Sequence, residues 1–391
     1  MQRVAQRLID GKGLVAGVLS GTSGDGIDVA IASFPAATRL ELGAPLVQAF
    51  ATLPFPADVA RRVRRALDGE GLGLRESALL SRDLGRAFGA AARELALDRR
   101  LELDLVASHG QTVWHHDGVE ASGPATLQLG DGDFVAESSG VAVVSDFRQR
   151  DIAAGGEGAP ISALADDAIF ASVPRPCAIL NLGGLANLTI LREGGDTLSF
   201  DTGPANSLLD GLSRRFLDRP YDAQGAAAAG GSASEALIAE LLDHPFLQRS
   251  PPKSTGRDSF GEDYVSSVVA RARQLGVLRD DSAPADLLAS AADFVARAAV
   301  DGLDRFGGRV QWLVICGGGV HHARLVDSLA LRSRAPLASS ADFGVDPDAR
   351  EALVFAVLGA RCVLGQASTR ASATGARAGR VLGKFSPASI S

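Results

Sequence analysis

The sequence predicts an α/β protein of two similar lobes, and three observations carry that prediction. One is size: 391 residues, 46% of them apolar, suffice for two domains with sizeable cores, on a prior of roughly 100–200 residues per domain. Another is a plan that occurs twice, at residues 14–34 and 177–191: an apolar run ends in a glycine-rich turn and a second apolar run follows. The third is the alternation of strand-like with helix-like stretches, which calls for mixed sheets covered by helices. Two such lobes leave a cleft between them, the usual place for a small-molecule site.

Residues 14–19 read as a buried strand and residues 28–34 as its partner, a hairpin with an unusually long tip. Residues 75–103 carry Leu, Ala, Arg and Glu at helical spacing. Residues 103–107 make a short strand that delivers Ser108-His109-Gly110-Gln111-Thr112, and residues 141–145 one that delivers Asp146-Phe147-Arg148. Residues 177–180 and 188–191 repeat the opening order of strand, turn and strand, a weak internal duplication. Residues 284–306 suit one long helix, with Pro284 early and Gly307-Gly308 as its stop. Residues 312–315 form a strand running into Cys316-Gly317-Gly318-Gly319, and residues 349–364 a helix with small residues on one side. The glycine-rich stretch 223–234 is expected to be a flexible loop, and 366–391 in part a loosely ordered tail. The expected division is 1–140 for the first lobe, 141–365 for the second, and 366–391 for a tail returning to the first.

Composition excludes several classes. A net charge of −7 with no Lys/Arg block argues against a nucleic-acid surface. No run approaches the ~20 apolar residues of a membrane span, and the first ten residues lack the core of a secretory signal. Cys177, Cys316 and Cys362 are isolated, without metal-ligand spacing, and fit reduced thiols in a cytoplasmic protein. No Walker-type glycine loop and no dinucleotide fingerprint occurs.

Chemistry gathers at three turns: residues 17–28, 181–187 and 200–206. Glycines let backbone N–H groups approach phosphate oxygens, hydroxyls add donors, and aspartates hold Mg²⁺ directly or through water. Asp201, at the end of an expected strand, is the best single candidate for a base. Taken alone it reads rather as an Asx-turn or helix cap before Asn206, but the company of two other phosphate-type turns reverses that in favour of the base. His109 alone reads as a turn histidine. Arg148 and Arg150 share one face if extended and can then grip a carboxylate bidentately; a solvated charge run has equal weight. Gly155-Gly156 opens a bend able to wrap a ligand. Lys253-Ser254-Thr255-Gly256-Arg257 either lines a phosphate or is a solvated loop, and Glu351 alone reads as a helix-start charge.

In their order these segments resemble the anhydro-N-acetylmuramic acid kinases. The matching pieces run from Gly17 to Gly383: Ser20-Gly21-Thr22-Ser23 with Asp25-Gly26 and Asp28, Ser108–Val113, Ser145–Gly156, Asn181-Leu182-Gly183-Gly184, Phe200–Asn206, Pro252–Arg257, Cys316–Gly319 and Glu351-Ala352. The resemblance implies the two-lobed actin-like ATPase (ribonuclease H-like) fold with a central inter-lobe cleft. It implies conversion of 1,6-anhydro-N-acetylmuramic acid, ATP and water to N-acetylmuramic acid 6-phosphate and ADP in cell-wall recycling. By resemblance Ser20, Gly21, Thr22, Ser23, Gly24, Asp25, Gly26 and Asp28, with Asn181, Gly183 and Gly184, hold phosphates, and Asp25 and Asp28 hold Mg²⁺. Gly317, Gly318 and Gly319 lie against adenosine. Asp201 matches the catalytic aspartate, and Glu351 a carboxylate that helps hold the reacting water. His109, Gln111, Thr112, Arg148, Arg150, Gly155 and Gly156 fall on the sugar side. The implied protein is cytoplasmic, binds neither nucleic acid nor membrane, and leaves a homodimer open. The chain departs from the pattern at Leu19, Gly24, His322 and Ala226–Ala229, and about a dozen N-terminal residues have no counterpart. Two rivals stand: a conventional sugar kinase acting on a free hydroxyl, and a nucleotide-switched binder without catalysis.

Overall fold

The first apolar run forms strand β1 (Leu14–Ser20), buried along nearly its whole length. Such a run, without polar alternation, belongs inside a sheet covered on both faces. It pairs antiparallel with β2 (Ile27–Ser33), which pairs antiparallel with β3 (Leu46–Leu53). On the other side β1 pairs parallel with β4 (Leu105–His116), itself flanked by β5 (Ala125–Leu129) and, in parallel, by β6 (Ala142–Ser145). The structure is a computed structural model that describes the chain except residues 22–23, 36, 68–70, 117–121 and 389–391 and the side chains of 257–258.

The second compact unit rebuilds this plan. Strands β7 (Cys177–Leu182), β8 (Leu185–Leu191) and β9 (Thr197–Pro204) form the antiparallel meander. Strands β10 (Trp312–Cys316) and β11 (Leu337–Ser339) add in parallel beside β7. The order 11-10-7-8-9 repeats the path 6-4-1-2-3 of the first unit. The duplication faint in the sequence is therefore explicit in the topology. Helix Ala285–Gly302 covers this second sheet. Leu288, Ala292 and Val295 join Leu180, Leu188 and Phe200 in one core. Its expected extension to Phe306 is present as a wider turn, Leu303–Gly307.

The units are residues 1–172 with 349–391, and residues 173–348. This differs from the expected divisions at 140 and 365 for a physical reason. Strand β6 pairs with β4 and so belongs to the first sheet. Helix Arg350–Leu364, at the far end of the chain, packs on β1 rather than on the second sheet. Along β1 the side chains alternate: Ala16 and Val18 join the core under helix Leu74–Asp98, while Gly17 faces helix Arg350–Leu364. A Cβ on Gly17 would collide with the Ala352 carbonyl. The tail then adds β12 (Lys384–Ser386) antiparallel to β6.

Two expectations of disorder do not hold within the described residues. The tail is tied by β12 and by the short helix Ala371–Thr374. The stretch 223–234 is pinned at both ends. The Asp222 carboxylate accepts the Ala227 and Ala228 N–H groups, and Asp286 accepts Ser232 N–H at 2.7 Å. Among the described residues no helix is long and apolar enough to cross a membrane.

Candidate active site

In the first unit the parallel strands β1 and β6 finish on the same edge, beside the middle of β4, since Ser20 registers with Gln111 and Ser145 with Ser108. Ligands of open α/β sheets bind beyond the carboxyl ends of such strands. The expected short strand before Ser108 is in fact long and carries Ser108–Thr112 within it. Val18 faces Ser108 but Leu19 faces Gly110, so His109 is the extra residue of a bulge, and Gly110 takes φ +80°. Bulges re-aim side chains in this way.

Gln111 is buried and its Nε2 donates to the Gly21 carbonyl at 3.1 Å. Ser20 Oγ, Ser108 Oγ and Gln111 Oε1 are buried with no hydrogen-bond partner among the described residues. Unpaired buried polar atoms are uncommon. Two hydroxyl donors and an amide oxygen at one strand end suit a ligand rich in oxygens and hydroxyls. In the turn above, Gly24 takes φ +64°, Asp25 is exposed, and Asp28 accepts a 2.6 Å bond from Thr52 Oγ1. Thr22 and Ser23 lie outside the described residues. No group of three or more His, Cys, Asp or Glu able to hold a metal occurs among the described residues. Mg²⁺ does not require one, because it keeps waters and takes one or two carboxylates together with phosphate oxygens. Asp25 and Asp28 fit that donor set.

His109 stacks on Phe355, ring centroids 4.5 Å apart. Its Nε2 accepts from Arg148 Nε at 2.9 Å, which assigns the ring proton to Nδ1. Burial, then the Arg148 charge, hold this imidazole well below its usual pKa, so it stays neutral. Arg148 also donates to the Gly158 carbonyl at 2.8 Å. The expected pairing of Arg148 and Arg150 on one extended face is not found. Arg148 caps helix Gln149–Ala153, and residues two apart on a helix point ~200° apart. Asp146, at φ 55°, turns the chain into that helix. Arg150 is exposed.

The bend at Gly155-Gly156 wraps a carboxylate of the protein itself. Asp151, fully buried, accepts from Gly158 N–H at 2.9 Å and Thr374 Oγ1 at 2.8 Å, and a Cβ on Gly156 would strike it. Burial raises this carboxyl above the usual range. Thr112 accepts from Gln128 at 3.2 Å. Glu351 is half-buried in the first turn of its helix, beside a buried ion pair in which Arg350 Nε donates to Asp166 Oδ1 at 2.9 Å and Nη2 to Oδ2. No local signal marks Asp166, which lies 184 residues from its partner.

In the second unit three turns converge. Asn206 Nδ2 donates to the Leu182 carbonyl at 3.0 Å, and the Gly183 and Gly184 carbonyls accept the Asn206 and Ala205 N–H groups. Gly317, at φ +81°, passes so close to Asn181 and Leu182 that a Cβ would lie 2.7 Å from Asn181 Oδ1. Gly318 is exposed at that edge and Gly319 packs on Leu182. His322 is buried. Its Nδ1 accepts Leu325 N–H at 3.3 Å as the cap of helix Ala323–Arg332, and its ring lies against Gly225. The His322 and Ala226–Ala229 departures are thus neighbours in space.

Asp201 lies on β9 beside a second bulge, where Asn187 faces Asp201 and Ala186 faces Gly203. It is 7% exposed. Its N–H donates to the Lys253 carbonyl at 3.1 Å, and Thr255 N–H donates to its Oδ2 at 2.8 Å. Lys253 is neither a solvated loop residue nor an exposed phosphate contact, being 2% exposed with its ammonium turned inward. Sequence reading placed this segment in the family pattern but missed its contact with Asp201. Only the Pro251-Pro252 pair before it hinted at a fixed loop.

A family model described as anhydro-N-acetylmuramic acid kinase matches residues 13–388. Curated relatives carry the same description. One from Xanthomonas oryzae pv. oryzae (strain MAFF 311018) is 39% identical over 386 residues, covering 96% of this chain and 97% of its own. One from Variovorax paradoxus (strain S110) is 38% identical, covering 96% and 99%. One from Salinibacter ruber (strain DSM 13855 / M31) is 36% identical, covering 95% and 96%.

Proposed function

The chain belongs to the anhydro-N-acetylmuramic acid kinase family, and on that premise we propose how its own residues divide the chemistry. The substrates are 1,6-anhydro-N-acetylmuramic acid, ATP and water. The anhydro bridge has no free O6, so water must attack C1 while the C1–O6 bond breaks. The departing O6 then takes the γ-phosphoryl group as the β–γ bridge of ATP opens. Asp201 receives the proton of the attacking water. The observation that carries this assignment is the grip on that side chain: a buried carboxylate fixed by a backbone N–H at 2.8 Å, at the edge where the turns of the second unit converge. For a general base, such positioning matters before any pKa.

Asn181, Gly183, Gly184 and Gly317–Gly319 form the nucleotide side of the second unit. In the first unit Ser20–Asp28 serves the phosphates, and Asp25 and Asp28 would hold Mg²⁺, whose charge would offset that of the phosphoryl oxygens. Glu351 orients water. The neutral His109, Gln111 and Thr112 offer hydrogen bonds to sugar oxygens, with Arg148 fixing His109. Arg150, exposed, is the guanidinium assigned to the lactyl carboxylate. The reading needs no second copy of the chain, and a cytoplasmic location goes with its use of ATP.

The test is turnover in ¹⁸O-labelled water. Bridge opening places solvent oxygen on C1, whereas a conventional kinase leaves none there. Asp201→Asn is expected to lower turnover by roughly 10²–10⁴ with ATP still bound. Turnover within a few-fold of the parent removes Asp201 from the role of base.

A further inference from the structure

We infer that Lys253 is a positioning residue for Asp201, its buried ammonium pinning the short segment that holds the aspartate by both backbone and side chain. The inference rests on the reading of Asp201 as the base. The segment meets Asp201 twice, through the Lys253 carbonyl at 3.1 Å and the Thr255 N–H at 2.8 Å. The lysine side chain runs the other way. Its Nζ donates to the Phe246 and Leu247 carbonyls, each at 3.3 Å, in helix Pro245–Gln248. It also lies 4.8 Å from the ring centroid of Phe246, 5.7 Å from Phe306 and 5.9 Å from Phe200. Phe200 directly precedes Asp201 on β9, so the cage and the aspartate share a strand.

A lysine is rarely buried to this degree. The charged groups that bear on it are Asp201 from β9, Arg305 from the turn after helix Ala285–Gly302, and Arg249 just beyond helix Pro245–Gln248. Asp301, from that long helix, lines the same small cavity of about 30 Å³ with Lys253, Arg305 and Thr202. Burial, then Arg305, lower the Lys253 pKa to about 8, with Asp201 opposing the fall. An apolar chain of similar length would fill the cage without the desolvation penalty of a charge. Packing alone therefore leaves the ammonium unexplained. Its bonds to two carbonyls give the segment a fixed seat; loss of its proton leaves two N–H donors but removes the charge that strengthens both bonds, and so loosens that seat.

The experiment compares the full-length parent, Lys253→Met and Asp201→Asn. Lys253→Met is expected to lower kcat by about 10–100-fold, the scale of a ~1 Å misplacement. KM for ATP and for the sugar should stay within about threefold, since both contact sets lie on other turns. The parent kcat should fall above pH about 8, and that alkaline limb should be absent from Lys253→Met. A parent-like kcat, or an unchanged alkaline limb, in a folded Lys253→Met protein overturns the inference. If that variant does not fold, the ¹⁵N amide shift of Thr255 in the parent decides. A titration with midpoint near 8 supports the inference, and a flat response overturns it. Asp201→Asn separates the two levels. Parent-like turnover there defeats the base assignment and the inference with it, whereas low turnover there beside parent-like Lys253→Met defeats the inference alone.

Discussion

Gly17→Ala adds one methyl group at the most restrictive contact of the first unit. A Cβ there would collide with the Ala352 carbonyl and lie 2.6 Å from the Ala356 nitrogen. Both obstacles are backbone, so no rotamer change relieves them and the helix must move away from β1. Overpacking costs typically ~1–3 kcal/mol, occasionally more, and a backbone-on-backbone clash puts this case at about 3 kcal/mol or above. At ~2–4 °C per kcal/mol for a unit of this size, Tm should fall by roughly 6–12 °C. Urea unfolding should show a lower midpoint with an unchanged slope. Activity should fall as well, because Glu351 opens that helix and Ser20 ends that strand. Ala352→Gly cannot rescue the variant, since the obstructing atom is the carbonyl. If Gly17→Ala unfolds within ~0.5 kcal/mol of the parent, the range of an ordinary surface change, the helix is not seated on β1 as described.

Leu8, fully buried in the helix Gln2–Ile9 that precedes the family match, should cost about 2–5 kcal/mol when cut to Ala in a denaturation titration. This would show that the extension is part of the first unit's core. Lys253 has a folded pKa near 8 against an ordinary 10.5, so between those values the unfolded chain binds more protons and stability rises with pH. The difference in unfolding free energy between parent and Lys253→Met should therefore shift by about 3 kcal/mol from pH 7 to pH 11, in favour of the parent. Arg148→Lys should raise the sugar KM and lower stability, because one ammonium cannot reach both His109 Nε2 and the Gly158 carbonyl as the guanidinium fork does. Arg150→Lys should leave stability within ~0.5 kcal/mol and raise the KM of the acidic sugar alone, and an unchanged KM removes it from the lactyl carboxylate.

The sequence by itself determined what depends on neighbours along the chain. Apolar runs such as residues 14–19, 177–180 and 312–315 became strands because nothing in them supports an exposed face. The glycine turns fell at their ends because glycine, lacking a Cβ, takes the positive φ found at Gly24 and Gly317 without steric cost. The ordered set of turns carried the family. What only the tertiary structure decided depends on pairing across long separations. Asp201 meets Thr255 and Asp166 meets Arg350 with no local sign of either partner. Helix Arg350–Leu364 joins the first unit because Gly17 leaves space for it, a fit invisible in either segment alone. The arginines at 148 and 150 share a face only in an extended segment, and Asp146 instead turns the chain into a helix that sends them apart. Nothing local to Lys253 chooses between a phosphate contact and a solvated loop, and the structure makes it neither. Three phenyl rings drawn from Phe200, Phe246 and Phe306 make a site where its charge is held inside.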